Sequence, residues 1–170
     1  LGWSHGDQEI FSRDEMIRLF DIGDVNASAS RFNLEKLNWI NQQYIMASEP
    51  GQLAPIFVAQ MARIGLDPAQ GPDPVAVIAT YRERAVTLSQ LAKDSSYLYV
   101  DAIELDDAAA KKNLRPVIRE PLTTFVANLA ALPVWNAAAI HDALESAANA
   151  HAMKFGKLGQ PVRVAVTGGT

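Results

Sequence analysis

The sequence predicts an all-α protein. Apolar residues recur at three- and four-residue spacing in several separate segments, the period of a helix with one buried face. Side chains that begin helices well, Ser12, Asn33, Asp73, Asp106 and Asn136, stand directly before those segments. Two-residue alternation is scarce and alanine is frequent, which removes the strand signature and favours helix.

The elements follow in order. "SRDEMIRLF" places Ser12 and Glu15 at capping-box spacing ahead of Met16, Ile17, Leu19 and Phe20, and predicts a helix over 13–21. A polar link, "ASASRFN", ends at Asn33. In "LEKLNWINQQYIMA", Leu34, Leu37, Ile40, Tyr44 and Ile45 share a face, and Leu37, Trp39 and Ile40 are expected in the core. Pro50 and Gly51 break the chain, and a third helix is expected from Leu53 to Ile64, stopped by Gly65. After the loop "DPAQGPDP", Asp73 and Pro74 open a long helix carrying Val75, Ile78, Ala79, Ala85, Val86, Leu88 and Leu91. Asp94 to Tyr99 either continues it or starts another. Asp106 caps "DAAAKKNL", Pro116 ends it, Pro121 opens "PLTTFVANLAAL", and Asn136 caps "AAAIHDALESAANAHAM". The tail mixes signals. Val162, Val164 and Val166 have strand propensity, but Pro161 suits a first helical position and Gly168 a stop. A strand there has no partner, so one or two helical turns are expected.

Composition bounds the function. A chain of 170 residues, 49% apolar and 20% charged, suits one globular domain or two small ones. It has no cysteine, hence no disulfide and no thiolate metal site, which fits the cytoplasm. No apolar run reaches membrane-spanning length. A net charge of -4 argues against indiscriminate polyanion binding, yet the charge is uneven. Lys111, Lys112, Arg115 and Arg119 occupy nine residues without an acid, and 152–170 holds Lys154, Lys157 and Arg163, again without one.

No catalytic or metal constellation emerges. His141 and His151 are ten residues apart on one expected helix, roughly 15 Å along its axis and too far for one ion. Asp106-Asp107 reads as a helix cap. "TGGT" lacks the strand, spacing and lysine of a phosphate loop, and in "SHGD" Ser4 and His5 have no orienting acid. Arg82 and Arg84, two apart in "YRERAVTL", would point about 200° apart on a helix. One is expected to pair with Glu83 or a neighbouring acid and the other could reach a ligand, although the residues by themselves favour a plain solvated helix face.

"LGWSHGDQEIF", "SRFNLEKLNWINQQYI", "KKNLRPVIREPL" and "GKLGQPVRVAVTGGT", in this order, resemble bacterial glutamyl-tRNA synthetases over essentially the whole chain, in the part that follows the signature lysine loop. The resemblance implies a helical stem-contact region over 1–47, an anticodon-binding helical subdomain over 48–130, and a second, truncated one over 131–170. It implies that the catalytic domain, with its ATP signatures, lies outside this sequence. The fragment itself then has no catalytic residue, metal or cofactor, while the intact enzyme uses ATP and Mg²⁺ to attach glutamate to tRNA. Arg84 matches the family position that reads the third anticodon base. Arg163 matches the arginine that contacts the first anticodon bases, in a pocket where Gly156 and Gly159 allow close backbone approach, Pro161 fixes a turn, and Lys157 lies nearby. Arg31 and Lys36 are implied contacts to the tRNA stem. The implied partner is glutamate tRNA, with no DNA or membrane, and the protein is expected to be a monomer. The rival reading is a free-standing helical protein-interaction module with no RNA role.

Overall fold

The computed structural model describes residues 2–27 and 31–169; residues 28–30 of the polar link lie outside them. The described residues are helical and contain no strand beyond an isolated antiparallel bridge between His5 and Gln8. None of their helices is long and apolar enough to cross a membrane. The chain forms two compact units, residues 1–99 and 100–170. Residues 1–47 and 48–99 thus share a unit, and position 130 falls inside the second.

The first unit holds α1 (Arg13–Leu19), α2 (Leu34–Ala47), α3 (Pro50–Arg63), α4 (Pro74–Tyr81) and α5 (Leu88–Asp94), joined in part by short 3₁₀ turns. The capping box forms as expected: Ser12 Oγ accepts from the Glu15 amide, and the Glu15 carboxylate accepts from the Ser12 amide. Asn33 and Asp73 cap α2 and α4 through their side chains. Helix α3 packs on α4 and α5. Phe57, Met61 and Ile78 there are fully buried, each stabilising the fold by about 1.5–3 kcal/mol through lost apolar exposure.

Three expectations for this unit need correction. Helix α3 begins at Pro50, not Leu53, because Pro50 occupies the first turn, where its missing N–H costs nothing. The long helix from Asp73 stops at Tyr81. Arg82–Arg84 forms a 3₁₀ turn, Ala85 becomes extended, and Thr87 starts α5 by accepting from the Gln90 amide. The Thr87 cap fixes where α5 begins. Third, of the expected α2 face only Ile45 is buried; Leu37 and Trp39 are 48% and 44% exposed. The core is closed by α3, α4 and α5, so Leu37 and Trp39 in the N-terminal half of α2 stay largely outside it.

The second unit holds α6 (Asp107–Asn113), α7 (Arg119–Ala130), α8 (Ala137–Ala150) and α9 (Phe155–Thr167). Asp106 and Asn136 cap α6 and α8 through their side chains. Ala143, Ala147 and Ala148 are buried beside Phe125, Leu144 and Leu158. Small residues at this spacing on α8 let its neighbours approach closely.

The tail is a full 13-residue helix rather than one or two turns, and Pro161 lies inside it rather than at its start. The burial of Leu158, Pro161 and Val164 gives α9 a helical inner face. That gain outweighs the amide missing at Pro161. Gly168 ends α9 as expected, in the left-handed region at φ 82°, and donates to the Val164 carbonyl. Its own carbonyl accepts from the Asp106 amide at 2.8 Å, which ties the end of α9 to the start of α6.

Candidate nucleic-acid interface

The turn Arg82–Arg84 is held from α2. Gln42 Nε2 donates to the Glu83 carbonyl at 2.9 Å, and Asn41 Nδ2 donates to the Val86 carbonyl at 2.6 Å. Arg82 is half-buried and its Nη1 donates to the carbonyl of Ser48, just past the end of α2, at 3.3 Å. Ala85, in the middle of the turn, is buried. These contacts bracket Arg84, which is exposed and has no hydrogen bond or ion pair to a described residue. The expected pairing of one arginine with Glu83 is not formed; Arg82 uses a backbone carbonyl instead. On a 3₁₀ turn, at roughly 120° per residue, the two arginines still leave on different sides. One anchors the turn, and the other is presented to solvent by it. Asn41 and Gln42 are site-building residues that sequence reasoning passed over. The available signal was an Asn-Gln-Gln run on an otherwise amphipathic helix.

Lys157 and Arg163 both lie on α9 and are exposed. Six residues apart on a helix, they project about 120° from one another, so they do not share a face. The expected pocket of Gly156, Gly159 and Pro161 does not form as a turn, because all three are inside α9. Nothing lies near the missing Cβ of Gly156, and a Cβ on Gly159 would make only ordinary contact with Phe155 and Leu144. Arg84 belongs to the first unit, Lys157 and Arg163 to the second.

Arg31 is exposed. Lys36, in the first turn of α2, pairs with Glu9 at 2.5 Å, both side chains being about half exposed. Such a pair contributes little to stability and is readily exchanged for another anion.

The histidines have structural uses. His5 stacks on Trp3 with centroids 6.4 Å apart, and His151 Nε2 is 2.8 Å from Thr124 Oγ1. His141 stacks on Phe155 at 4.7 Å. His141, Asp142 and Glu145 bring donor atoms within 4.8 Å of one another, all on the exposed face of α8. Carboxylates beside a histidine are ordinary on a solvated helix.

An open cavity of about 480 Å³ lies between α2, α3 and the start of α5, lined among others by Leu37, Asn41, Ile56 and Leu88. Its walls are largely apolar and carry no cation, unlike the Arg84 turn.

Residues 35–170 match the family described as an anticodon binding domain. The chain is 46% identical over 169 residues to glutamate–tRNA ligase 1 of Alkalilimnicola ehrlichii, covering 99% of this chain and 36% of that protein. It is 46% identical over 170 residues to glutamate–tRNA ligase 2 of Coxiella burnetii, covering all of this chain and 36% of that one. Among solved structures, a glutamate tRNA ligase from Elizabethkingia meningosepticum superposes with a TM-score of 0.80 at 27% identity, over 99% of this chain and 34% of the other. The glutamate-tRNA synthetase of Elizabethkingia anophelis gives 0.75 at 27% identity, over 99% and 33%. The chain therefore spans about a third of the length of the relatives it matches. With the match running through α2 to α9 and the helical architecture shared, the chain belongs to the anticodon-binding domain family.

Proposed function

We propose that this chain is the tRNA-binding portion of a glutamate–tRNA ligase, selecting glutamate tRNA and holding it while chemistry occurs elsewhere in a longer protein. Arg84 reads the third anticodon base. Its guanidinium offers only donors, which suits the O2 and N3 acceptors of cytosine and opposes the N1 and N2 donors of guanine. A base splayed out of the loop exposes that edge to protein. Arg163 contacts the first anticodon bases, with Lys157 a neighbouring phosphate contact. Arg31 and Lys36 meet the stem, Lys36 exchanging Glu9 for phosphate. The observation that carries this reading is an exposed arginine without a partner among the described residues, on a turn tied at three points to α2 and Ser48 just past it, in a chain whose residues 35–170 match anticodon-binding domains.

The longer protein is proposed to be a cytoplasmic monomer that uses ATP and Mg²⁺. The residues of this chain do not fit either group. The His141–Asp142–Glu145 cluster is exposed on one helix face, and no phosphate-binding glycine loop adjoins it. The stem-contact and two-part anticodon division of the chain is likewise proposed as functional.

The test is binding of glutamate tRNA to the chain across a salt series. Phosphate contacts release counterions, so log K should fall with log salt, by about 0.7–0.9 for each phosphate neutralised. A chain that binds no tRNA at low salt would overturn this reading.

A further inference from the structure

Lys111, Lys112, Arg115 and Arg119 are all exposed, and none forms an ion pair with a described residue. The fold accounts for two of them. Lys111 and Lys112 close the last turn of α6, where cations offset the negative end of the helix dipole. It does not account for the arginines. Arg115 stands in extended backbone between α6 and the 3₁₀ turn Pro116–Ile118, at φ −74° and ψ 156°, with no side-chain capping bond. Arg119 is the first residue of α7, the positive end, where a cation is mildly unfavourable.

The surroundings of Arg119 leave its guanidinium open. It borders an open cavity of about 480 Å³ with Glu120, Thr123, Thr124 and His151. The Thr123 hydroxyl is used on the Arg119 carbonyl at 2.9 Å, and Thr124 and His151 bond each other at 2.8 Å. Glu120 is the acid beside it, in the first turn of α7. The patch keeps an excess of cations within a chain whose net charge is -4. Overall, that charge repels polyanions, so a local excess of cations favours holding RNA there.

We propose that the α6–α7 junction, centred on Arg115 and Arg119 and flanked by Lys111 and Lys112, binds the sugar–phosphate backbone of tRNA, apart from the bases that Arg84 and Arg163 read. This rests on the tRNA-binding reading above. Backbone contacts fix register and carry no sequence information. The surface is therefore expected to add affinity equally for cognate and non-cognate tRNA.

The experiment compares the chain with its Arg115→Gln/Arg119→Gln variant, after far-UV spectra show equal helix content. Glutamate and glutamine tRNA transcripts are titrated from low to moderate salt. The expected result is roughly tenfold weaker binding of both tRNAs, with a salt slope shallower by about 2. Arg115→Lys/Arg119→Lys should keep the slope, because a point charge suffices for phosphate. An unchanged slope in the glutamine variant overturns this surface while leaving the tRNA reading intact. So does weakening confined to glutamate tRNA, which would mark base reading. Failure of the unsubstituted chain to bind either tRNA overturns the function and the surface together.

Discussion

Arg84→Gln should relax rejection of glutamine tRNA more than it weakens use of glutamate tRNA. Arg84 is exposed and bonds to no described residue, so its loss should change folding stability by no more than about 0.5 kcal/mol. The effect then falls on the complex. Guanine facing the guanidinium keeps its N1 and N2 donors unmet, a penalty of about 1–3 kcal/mol when buried. The turn is open to water, which points to the lower part of that range, about 1–2 kcal/mol. At roughly 1.4 kcal/mol per tenfold, discrimination falls about 5- to 30-fold. Glutamine can both donate and accept, so it can meet either base. Arg82→Gln is the control. It removes the 3.3 Å bond to the Ser48 carbonyl and should cost about 0.5–1 kcal/mol of stability, with little change in discrimination. The assay is kcat/KM in a full-length glutamate–tRNA ligase carrying this chain, with transcripts bearing C or G at the third anticodon position. If Arg84→Gln leaves the C-to-G ratio unchanged, or Arg82→Gln shifts it equally, Arg84 is not the reader.

Asn41→Ala removes the 2.6 Å tether to Val86 and should cost about 1 kcal/mol. It should lower the same C-to-G ratio with Arg84 intact and speed amide exchange at Ala85; a destabilised protein with an unchanged ratio would show the tether to be structural only. Gly168→Ala forces a left-handed alanine whose Cβ would overlap the Glu104 carbonyl oxygen and lie 2.9 Å from Ile103 Cγ2. Strain and overlap together should cost about 2–4 kcal/mol, and a thermal midpoint within a degree of the parent would refute the geometry. The Glu15 carboxyl is held below its ordinary value chiefly by the Ser12 amide it accepts from. Because the folded value is lowered, the cap's contribution is present above the unfolded value and is lost as pH falls through the folded one. Order in α1, followed by amide exchange at Met16, should therefore decline only below the ordinary carboxylate range, and Glu15→Gln should abolish that dependence.

Local chemistry made much of this protein legible from its sequence. Ser12, Asn33, Asp73, Asp106 and Asn136 each cap the expected helix, because a cap is a contract between residues two or three apart. Gly168 ends α9 for a similarly local reason. Residue type and motif also singled out Arg84 and Arg163, which the fold leaves exposed. What the sequence left open depended on packing. The break at Tyr81 arises where Asn41, Gln42 and Ser48 of the α2 segment capture the following turn, and no short window contains both partners. Whether Arg82 or Arg84 anchors the turn was settled by that capture. The tail became a long helix because Leu158, Pro161 and Val164 bury together, a tertiary gain that overrides the glycines and proline read as a turn. The exposure of Leu37 and Trp39 has the same origin. Periodicity tells which residues share a face, but only the arrangement of the other helices decides whether anything covers it.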